Sequence, residues 1–223
     1  MQINKYIDHT LLKSTATQAD IKKLCEEALE YNFFSVCINP YWIKYAKTLL
    51  KDSDVKVCTV IGFPLGANSS INKKAEAIQA IQDGADELDM VINNGLLLGE
   101  NYSECLKDMK SVKETTNNNK VLVKIILENC LLTNEQIKKA CELALEAKID
   151  FVKTSTGFSE HGATIEHVKL MKQTVGDNAK VKAAGGVRSY EDAINMIEAG
   201  ASRLGTSNGV AIMKNKKVDG QNY

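Results

Sequence analysis

Three lysines lie where a folded protein ordinarily places apolar side chains. Lys124, Lys153 and Lys182 each interrupt a short apolar run, and they follow one another at intervals of 29 residues. Asp89 interrupts a fourth run of the same kind. A charged side chain inside a buried strand has to be paired, neutralised or functional. A single lysine can extend its ammonium group to solvent, but three in one register, together with an aspartate, predict a functional cluster.

The chemistry open to such a cluster is carbonyl chemistry. A neutral lysine amine attacks a carbonyl carbon and forms a Schiff base. At the ordinary lysine pKa of about 10.4, only about one amine in a thousand is neutral near pH 7.4. A second lysine in the same cavity reduces this handicap, because each charge disfavours the other. Asp89 would then move protons or keep one lysine charged.

Seven short apolar runs alternate with helical patterns along the chain, and residues 5–10 add a first strand, which makes eight predicted strands. Continuous apolar runs are typical of parallel strands that are covered on both faces. With about 28 residues per predicted strand, close to one strand–helix unit, the sequence predicts an α/β fold, a single (β/α)8 TIM barrel over residues 1–213. Residues 214–223 are predicted to form a polar, mobile tail, in which Tyr223 either is part of a disordered end or reaches into the site. The predicted strands are residues 5–10, 35–39, 56–62, 87–93, 121–127, 151–157, 180–186 and 203–209.

Helix starts and apolar helix faces are predicted between these strands. Thr133 with Gln136 has the spacing of a capping box, and Ser189 with Asp192 is an acidic version of it. The predicted apolar faces are Ile21, Leu24, Cys25, Ala28 and Leu29; Ala75, Ile78 and Ile81; Ile137, Ala140, Cys141, Ala144 and Leu145; and Ala193, Ile194 and Ile197.

A repeated pattern at four helix-to-strand junctions suggests which residues share a layer. Aligned on that pattern, the second, fourth, sixth and eighth predicted strands carry Cys37, Asp89, Lys153 and Gly205 at the same position. Alternate strands of such a barrel contribute side chains to one inward layer. Cys37, Asp89 and Lys153 are therefore expected to face one cavity, with Gly205 leaving room beside them.

Glycines at the ends of the last strands predict an anion site. Gly185 and Gly186 end the seventh predicted strand, and Gly205 and Gly209 lie in the eighth. Glycines there let backbone N–H groups approach a phosphate, which is the usual phosphate position in these barrels. Arg188 could pair with the phosphate or form a surface salt bridge.

Composition excludes several other classes of protein. The 28 basic and 28 acidic residues balance, which argues against nucleic-acid binding through bulk charge. No apolar run approaches the ~18 residues of a membrane span, and the first ten residues do not resemble a signal peptide. The six cysteines form no CxxC pair and have no ligand spacing with the three histidines. Free thiols in a reducing cytoplasm are expected, and a metal site is not.

Six motifs, in order over residues 5–210, carry a resemblance to one enzyme family. They are Asp8-His-Thr-Leu11, Gly62-Phe-Pro-Leu-Gly66, Glu87-Leu-Asp-Met-Val-Ile-Asn93, Phe151-Val-Lys-Thr-Ser-Thr-Gly157, Lys182-Ala-Ala-Gly-Gly-Val-Arg188 and Arg203-Leu-Gly-Thr-Ser207. Together they resemble the 2-deoxyribose-5-phosphate aldolase family. The resemblance implies a class I aldolase without metal or cofactor. Such an enzyme reversibly cleaves 2-deoxy-D-ribose 5-phosphate to D-glyceraldehyde 3-phosphate and acetaldehyde in deoxynucleoside catabolism.

The resemblance also implies roles for single residues. Lys153 would be the Schiff-base lysine and Lys182 the neighbouring lysine that lowers its pKa, while Asp89 with Lys124 would move protons at the sugar carbons. The implied substrate-binding residues are Asp8, Cys37, Thr156, Gly157, Gly185, Gly186, Arg188, Gly205 and Ser207.

The residues alone leave other functions open. An imine mechanism with a phosphate site suits transaldolase and other class I sugar-phosphate aldolases equally well. A barrel that binds a sugar phosphate without turnover and a metal-dependent aldolase are further alternatives. The expected partners are a sugar phosphate and an aldehyde, and a homo-oligomer, either a dimer or a tetramer, is possible.

Overall fold

The computed structural model, which describes residues 1–116 and 121–216, contains eight parallel strands in a closed barrel. The strands follow chain order around the barrel, and the first pairs with the last. The predicted (β/α)8 barrel is therefore confirmed. The strands are β1 Ile7–Leu11, β2 Ser35–Ile38, β3 Lys56–Ile61, β4 Glu87–Val91, β5 Leu122–Ile126, β6 Phe151–Lys153, β7 Lys180–Ala184 and β8 Arg203–Thr206.

Helices surround the barrel and connect its strands. Those within the described ranges are α1 Gln18–Glu30, α2 Ile43–Leu50, α3 Ser70–Asp83, α4 Asn94–Leu98, α5 Tyr102–Lys113, α6 Asn134–Glu146, α7 Ile165–Val175, α8 Tyr190–Glu198 and α9 Gly209–Met213. No helix in residues 1–116 or 121–216 has the length and apolar character that crossing a membrane requires.

Capping boxes fix three of the turns from strand to helix. Thr133 and Ser189 cap α6 and α8 as predicted, and Thr17 forms a third box with Asp20 at α1. Each such cap is worth about 1 kcal/mol. Because a helix that follows a strand begins at the carboxyl end of the barrel, these caps stabilise the loops of that face.

The main core lies between the outer surface of the barrel and the helices. The predicted faces of α1 and α6 are buried, except for exposed Leu29 and half-buried Leu145. The predicted face of α8 is buried less completely than expected, because Ala193 is buried but Ile194 and Ile197 are half-buried.

The predicted face of α3 is wrong. Ala75 and Ile78 are exposed, and the helix instead buries Lys73, Ala77 and Ala80. The Lys73 ammonium group lies 2.6 Å from the Asp108 carboxylate of α5 and also donates to a backbone carbonyl of β4. This buried ion pair, which hydropathy cannot indicate, sets the orientation of the helix.

Several strands are shorter than predicted. The predicted strand 151–157 ends at Lys153, and the predicted strand 203–209 ends at Thr206. The residues that follow form loops at the carboxyl end of the barrel. The last described helix ends at Met213, while Tyr223 lies outside the described residues, so the boundary at residue 213 stays a prediction.

Candidate active site

Three lysine ammonium groups surround the carboxylate of Asp89 inside the barrel. Lys124 donates to Oδ1 at 2.7 Å, while Lys153 and Lys182 both donate to Oδ2 at 2.8 Å. All four side chains are at most 2% exposed. The structure thus brings together the four residues that the sequence analysis selects as catalytic.

Strand register places these residues. Asp89 of β4 lies beside Lys124 of β5, and Lys153 of β6 lies beside Lys182 of β7. In a closed barrel the inward side chains of separated strands meet across the interior. Lys153 is the last residue of its strand, whereas Lys124 and Lys182 are the third residues of theirs.

A second set of charges lies next to the lysines. The Asp8 carboxylate is 2.6 Å from the Lys182 ammonium group, and Glu87 is 2.6 Å from that of Lys124. The Arg203 guanidinium joins both carboxylates, with 2.8 Å to Glu87 and a closer contact to Asp8. Glu87 and Arg203 are functional candidates that the sequence analysis missed. Two features of the sequence could have indicated them: Arg203 is one of two arginines in the chain, and Glu87 is an acidic residue two positions before Asp89.

The ion pairs determine the charge state of the carboxylates. Burial would raise the pKa of Asp89, but the positive charges of Lys124, Lys153 and Lys182 hold that pKa well below its usual range. Burial likewise opposes ionisation of Asp8, yet Arg203 and Lys182 lower its pKa below the usual aspartate value. Both groups are therefore anionic near neutral pH.

Two of the lysines are held as cations. Burial would lower the pKa of Lys182, but Asp8 and Asp89 raise it well above its usual value. Burial opposes the charge of Lys124 too, while Asp89 and other anionic neighbours raise its pKa. The closeness of the lysines therefore does not make Lys124 or Lys182 easier to deprotonate, because attraction to the nearby carboxylates outweighs the repulsion between ammonium groups. This favours the option in which Asp89 keeps a lysine charged.

Cys37 lies in the same cavity, as its predicted layer requires. Its thiol, the Cys58 thiol and an Asp89 oxygen lie within 4.8 Å of one another. Hydrogen bonding with Cys58 lowers the pKa of Cys37. These three groups could act as metal ligands, but both Asp89 oxygens already accept lysine hydrogen bonds, which disfavours an additional cation.

The predicted phosphate glycines adopt a conformation suited to backbone approach. Gly157, Gly185 and Gly186 have φ values of 86°, 76° and 85°, a region that residues with a Cβ rarely adopt. A Cβ at Gly186 would meet nothing within 4 Å, so its backbone borders open space. Gly205 is buried in β8 beside Asp8, and Ser207 after it is exposed.

The remaining predicted binding residues have partners within the protein. The backbone N–H of Arg188 donates to Asp192 of α8 at 3.0 Å. Thr156 directs its hydroxyl to the carboxylate of Glu128, and its backbone N–H lies 3.2 Å from the same group. Burial raises the pKa of Glu128, although these hydrogen bonds oppose the shift. Glu128, with φ of 58°, was also missed by sequence analysis.

Two aromatic side chains pack together near the strand that carries Cys37. The rings of Phe63 and Phe158 meet edge to face with centroids 5.2 Å apart. Phe63 also packs on the small apolar cluster that contains Leu12, Cys37 and Val60. Phe63 therefore connects the Phe158 ring with the apolar cluster that contains Cys37.

Comparison with known proteins identifies the family. The model of the DeoC/LacD family of aldolases matches residues 3–216. The chain belongs to this family of aldolases. It is therefore a carbon–carbon lyase.

Relatives across the family have similar lengths. The deoxyribose-phosphate aldolase 1 of Mesoplasma florum is 59% identical over 97% of this chain and 98% of its own. The deoxyribose-phosphate aldolase of Carboxydothermus hydrogenoformans is 59% identical over 100% of this chain and 98% of its own.

Solved structures of family members have the same architecture. A structure described as QR15, an aldolase, superposes with a TM-score of 0.91 at 43% identity, covering 95% of this chain and 94% of that one. The deoxyribose phosphate aldolase of Aeropyrum pernix, described as a unique tetramer, gives 0.89 at 31% identity, with 95% and 89% covered.

Proposed function

We propose that this enzyme reversibly cleaves 2-deoxy-D-ribose 5-phosphate to D-glyceraldehyde 3-phosphate and acetaldehyde through a Schiff base on Lys153. The observation that carries the proposal is the group of three lysine ammonium groups around one buried carboxylate, in the barrel of an aldolase family. The names of the relatives supply the substrate.

In the first step Lys153 acts as the nucleophile. Its neutral amine attacks C1 of the open-chain aldehyde, and the resulting carbinolamine loses water to give an iminium ion. Its position at the end of β6 supports this assignment, since Lys124 and Lys182 lie deeper in their strands and each pairs with two carboxylates.

In the second step the bond between C2 and C3 breaks. Its electron pair moves toward the iminium ion and forms an enamine, while the C3 hydroxyl loses its proton and becomes the aldehyde of glyceraldehyde 3-phosphate. Protonation of the enamine at C2 and hydrolysis of the imine then release acetaldehyde and restore the amine. We assign these proton transfers to Asp89 with Lys124 and Lys182, because they are the ionised groups next to Lys153.

The other predicted residues have supporting roles in this mechanism. Asp8 holds Lys182 through an ion pair of 2.6 Å, and Cys37 borders the reacting end of the substrate. The phosphate would bind at the loops after β6 and β7, where glycines with positive φ angles expose backbone groups, and at the end of β8. The residues proposed to bind it are Thr156, Gly157, Gly185, Gly186, Arg188, Gly205 and Ser207.

Borohydride trapping tests the proposal directly. The enzyme is incubated with 2-deoxyribose 5-phosphate, reduced with sodium borohydride and mapped by peptide mass spectrometry. We expect one reduced adduct, on Lys153, and none in Lys153→Arg, because a guanidinium does not form the imine. Lys180→Arg is the matched control, since Lys180 is an exposed residue at the start of β7, and it should keep both adduct and turnover. An active wild-type sample without any lysine adduct would refute the imine mechanism.

Product analysis separates this proposal from the other functions. Release of acetaldehyde distinguishes it from transaldolase and from other sugar-phosphate aldolases. A barrel that only binds sugar phosphate would release no product, and a metal-dependent aldolase would lose activity in EDTA. We expect turnover with acetaldehyde release and no effect of EDTA.

We further propose that the enzyme is a cytoplasmic homo-oligomer that acts in deoxynucleoside catabolism. The free cysteines of the described residues are consistent with a reducing compartment. The apolar side chains of Ile71 and Ile78 are 79% and 42% exposed on α3, a stripe that a second copy could cover. The tetramer of the Aeropyrum pernix relative supports association. Light scattering after size-exclusion chromatography should give a mass of a dimer or a tetramer.

A further inference from the structure

The ionised side chains inside the barrel form one continuous network, and their charges do not balance. Every member of the network pairs with another within 4.0 Å. Four positive charges face three negative charges, so a network with every member ionised carries an excess of one positive charge. The cations are Lys124, Lys153, Lys182 and Arg203, and the carboxylates are Asp8, Glu87 and Asp89.

The number of partners differs among the cations. Lys124, Lys182 and Arg203 each form ion pairs with two carboxylates. Within the described residues, Lys153 forms an ion pair with Asp89 alone, and it shares that carboxylate with two other lysines. Loss of one proton from Lys153 would balance the network while leaving every double pairing intact.

Within the network, Arg203 and Glu87 lie nearest the amino ends of the strands, away from Lys153. Each is the first residue of its strand, whereas Lys153 is the last residue of its own. The Arg203 guanidinium lies 3.4 Å from the centre of the Phe34 ring and donates to both Glu87 oxygens, at 2.8 and 3.1 Å. Both side chains are nearly completely buried, so solvent screens their charges weakly.

Other titratable groups face the lysines but do not pair with Lys153. The thiols of Cys37 and Cys58 lie beside Asp89 from β2 and β3. The Glu128 carboxylate, which follows β5, interacts electrostatically with Lys153 but bonds to Thr156. The charge of Lys153 is therefore compensated by direct contact at one carboxylate.

We propose that Arg203 and Glu87 are positioning residues for the reaction, which act through the ion-pair network to decide that Lys153 is the lysine that loses its proton. Arg203 supplies the excess positive charge. It also donates to the oxygen of Asp8 and the oxygen of Glu87 that the lysine partners leave free, so neither carboxylate compensates the charge of Lys153. Glu87 fixes Lys124 as a cation next to Asp89. The role rests on the proposed function, in which Lys153 is the nucleophile.

Opposite charge changes give opposite expected results. Arg203→Met removes one positive charge, so Lys153 should keep its proton to higher pH. Glu87→Gln removes one negative charge, so Lys153 should lose its proton at lower pH. Each shift should be about one pH unit, given interaction energies near a buried pair at an effective dielectric constant of about 20. The double variant should return toward the wild type.

The measurement is competitive acetylation with a trace of acetic anhydride between pH 5 and 10. Mass spectrometry gives the labelling of Lys153 relative to exposed Lys23 of the same molecule, whose side chain is 75% exposed. Circular dichroism first establishes that each variant is folded. Arg203→Lys and Glu87→Asp conserve charge, so the pH midpoint of Lys153 acetylation should stay at the wild-type value in both. A general loosening of the barrel would move this midpoint even when the charge is conserved.

The outcomes distinguish control of the Lys153 proton by charge from a purely structural role of Arg203 and Glu87 at the end of the barrel. Midpoints that move in opposite directions, with the double variant between them, support the proposal. Midpoints that move together, or that do not move, overturn it. If Arg203→Met does not fold, a downward shift in Glu87→Gln supports the proposal and any other result overturns it. Acetylation uses no sugar phosphate, so turnover of 2-deoxyribose 5-phosphate by the wild type tests the proposed function separately.

Discussion

At the scale of single residues, Asp89 is better suited to holding ammonium groups than to storing a proton. Three lysines donate to its carboxylate, and their charges keep its pKa well below the usual range. A group of such low pKa is a weak base near neutral pH. Because Lys124 and Lys182 already carry their protons, we expect Asp89 to take up the C3 hydroxyl proton only transiently and to return it to C2 of the enamine.

Removal of the Lys182 charge should shift the pH dependence of the reaction. In Lys182→Leu, Asp8 and Asp89 remain anionic and favour the protonated form of Lys153. The acid limb of kcat/KM for 2-deoxyribose 5-phosphate should therefore move to higher pH, by about one to two units. Initial rates between pH 5 and 10 measure this shift. Lys182→Arg conserves the charge and should leave the limb in place with a lower kcat, whereas an unmoved limb in Lys182→Leu would contradict the role assigned to Lys182.

At the scale of elements, the loops that follow the strands determine phosphate recognition. Gly186 has φ of 85° and borders open space. Gly186→Ala strains the backbone by about 1 kcal/mol or more and turns the loop away from its anion-binding conformation. We expect KM for 2-deoxyribose 5-phosphate to rise about tenfold, with little change in turnover of unphosphorylated 2-deoxyribose.

A second glycine provides the control for backbone strain. Gly176 also has a positive φ, 56°, and a Cβ at this position would meet nothing within 4 Å. It ends α7, at the opposite end of the barrel from the phosphate loops. Gly176→Ala should lower stability by a similar amount and leave KM unchanged. Equal losses of activity on both sugars in Gly186→Ala would argue against a phosphate role for this loop.

The loop after β5 supports the loop after β6 through one carboxylate. Glu128 accepts hydrogen bonds from the hydroxyl and the backbone N–H of Thr156, next to Gly157. In Glu128→Gln the amide can accept only through one oxygen, and a buried N–H2 group is left to find a partner. We expect a several-fold rise in KM for the phosphorylated sugar and a smaller change in kcat, measured by steady-state kinetics. A fall in kcat alone, with KM unchanged, would place Glu128 in the chemical step instead.

The sequence locates most of the site because charges inside apolar runs are conspicuous, and it misses the residues that lack such a contrast. Glu87 and Arg203 begin their strands, where charged side chains are common, and they meet only when the barrel closes. Glu128 follows a strand, and its partner Thr156 is 28 residues away. The face of α3 was predicted wrongly for a related reason, since the buried pair of Lys73 and Asp108 joins residues that hydropathy assigns to solvent.

At the scale of the whole molecule, the charged interior makes stability depend on pH in the acid range. The pKa values of Asp8 and Asp89 are lower in the folded state than in the unfolded chain. Each therefore contributes stability that is present above about pH 4 and is lost as pH falls toward the folded pKa. Below about pH 4 the unfolded chain binds protons that the folded protein does not, so stability should fall by about 1.4 kcal/mol per pH unit for each carboxylate.

Urea unfolding between pH 2.5 and 7 tests this dependence with matched variants. Asp89→Asn has no carboxylate to protonate, so it should be less stable than the wild type at pH 7 but lose stability less steeply in acid, by about 1.4 kcal/mol per pH unit. Asp52→Asn alters a carboxylate that is 89% exposed, so its acid slope should match the wild type. Burial raises the pKa of Glu128, so protonation of Glu128 opposes the loss of stability in acid. The net slope of unfolding free energy against pH therefore shows by how much the effect of Asp8 and Asp89 exceeds that of Glu128. An Asp89→Asn slope equal to that of the wild type would mean that acid unfolding begins elsewhere in the protein.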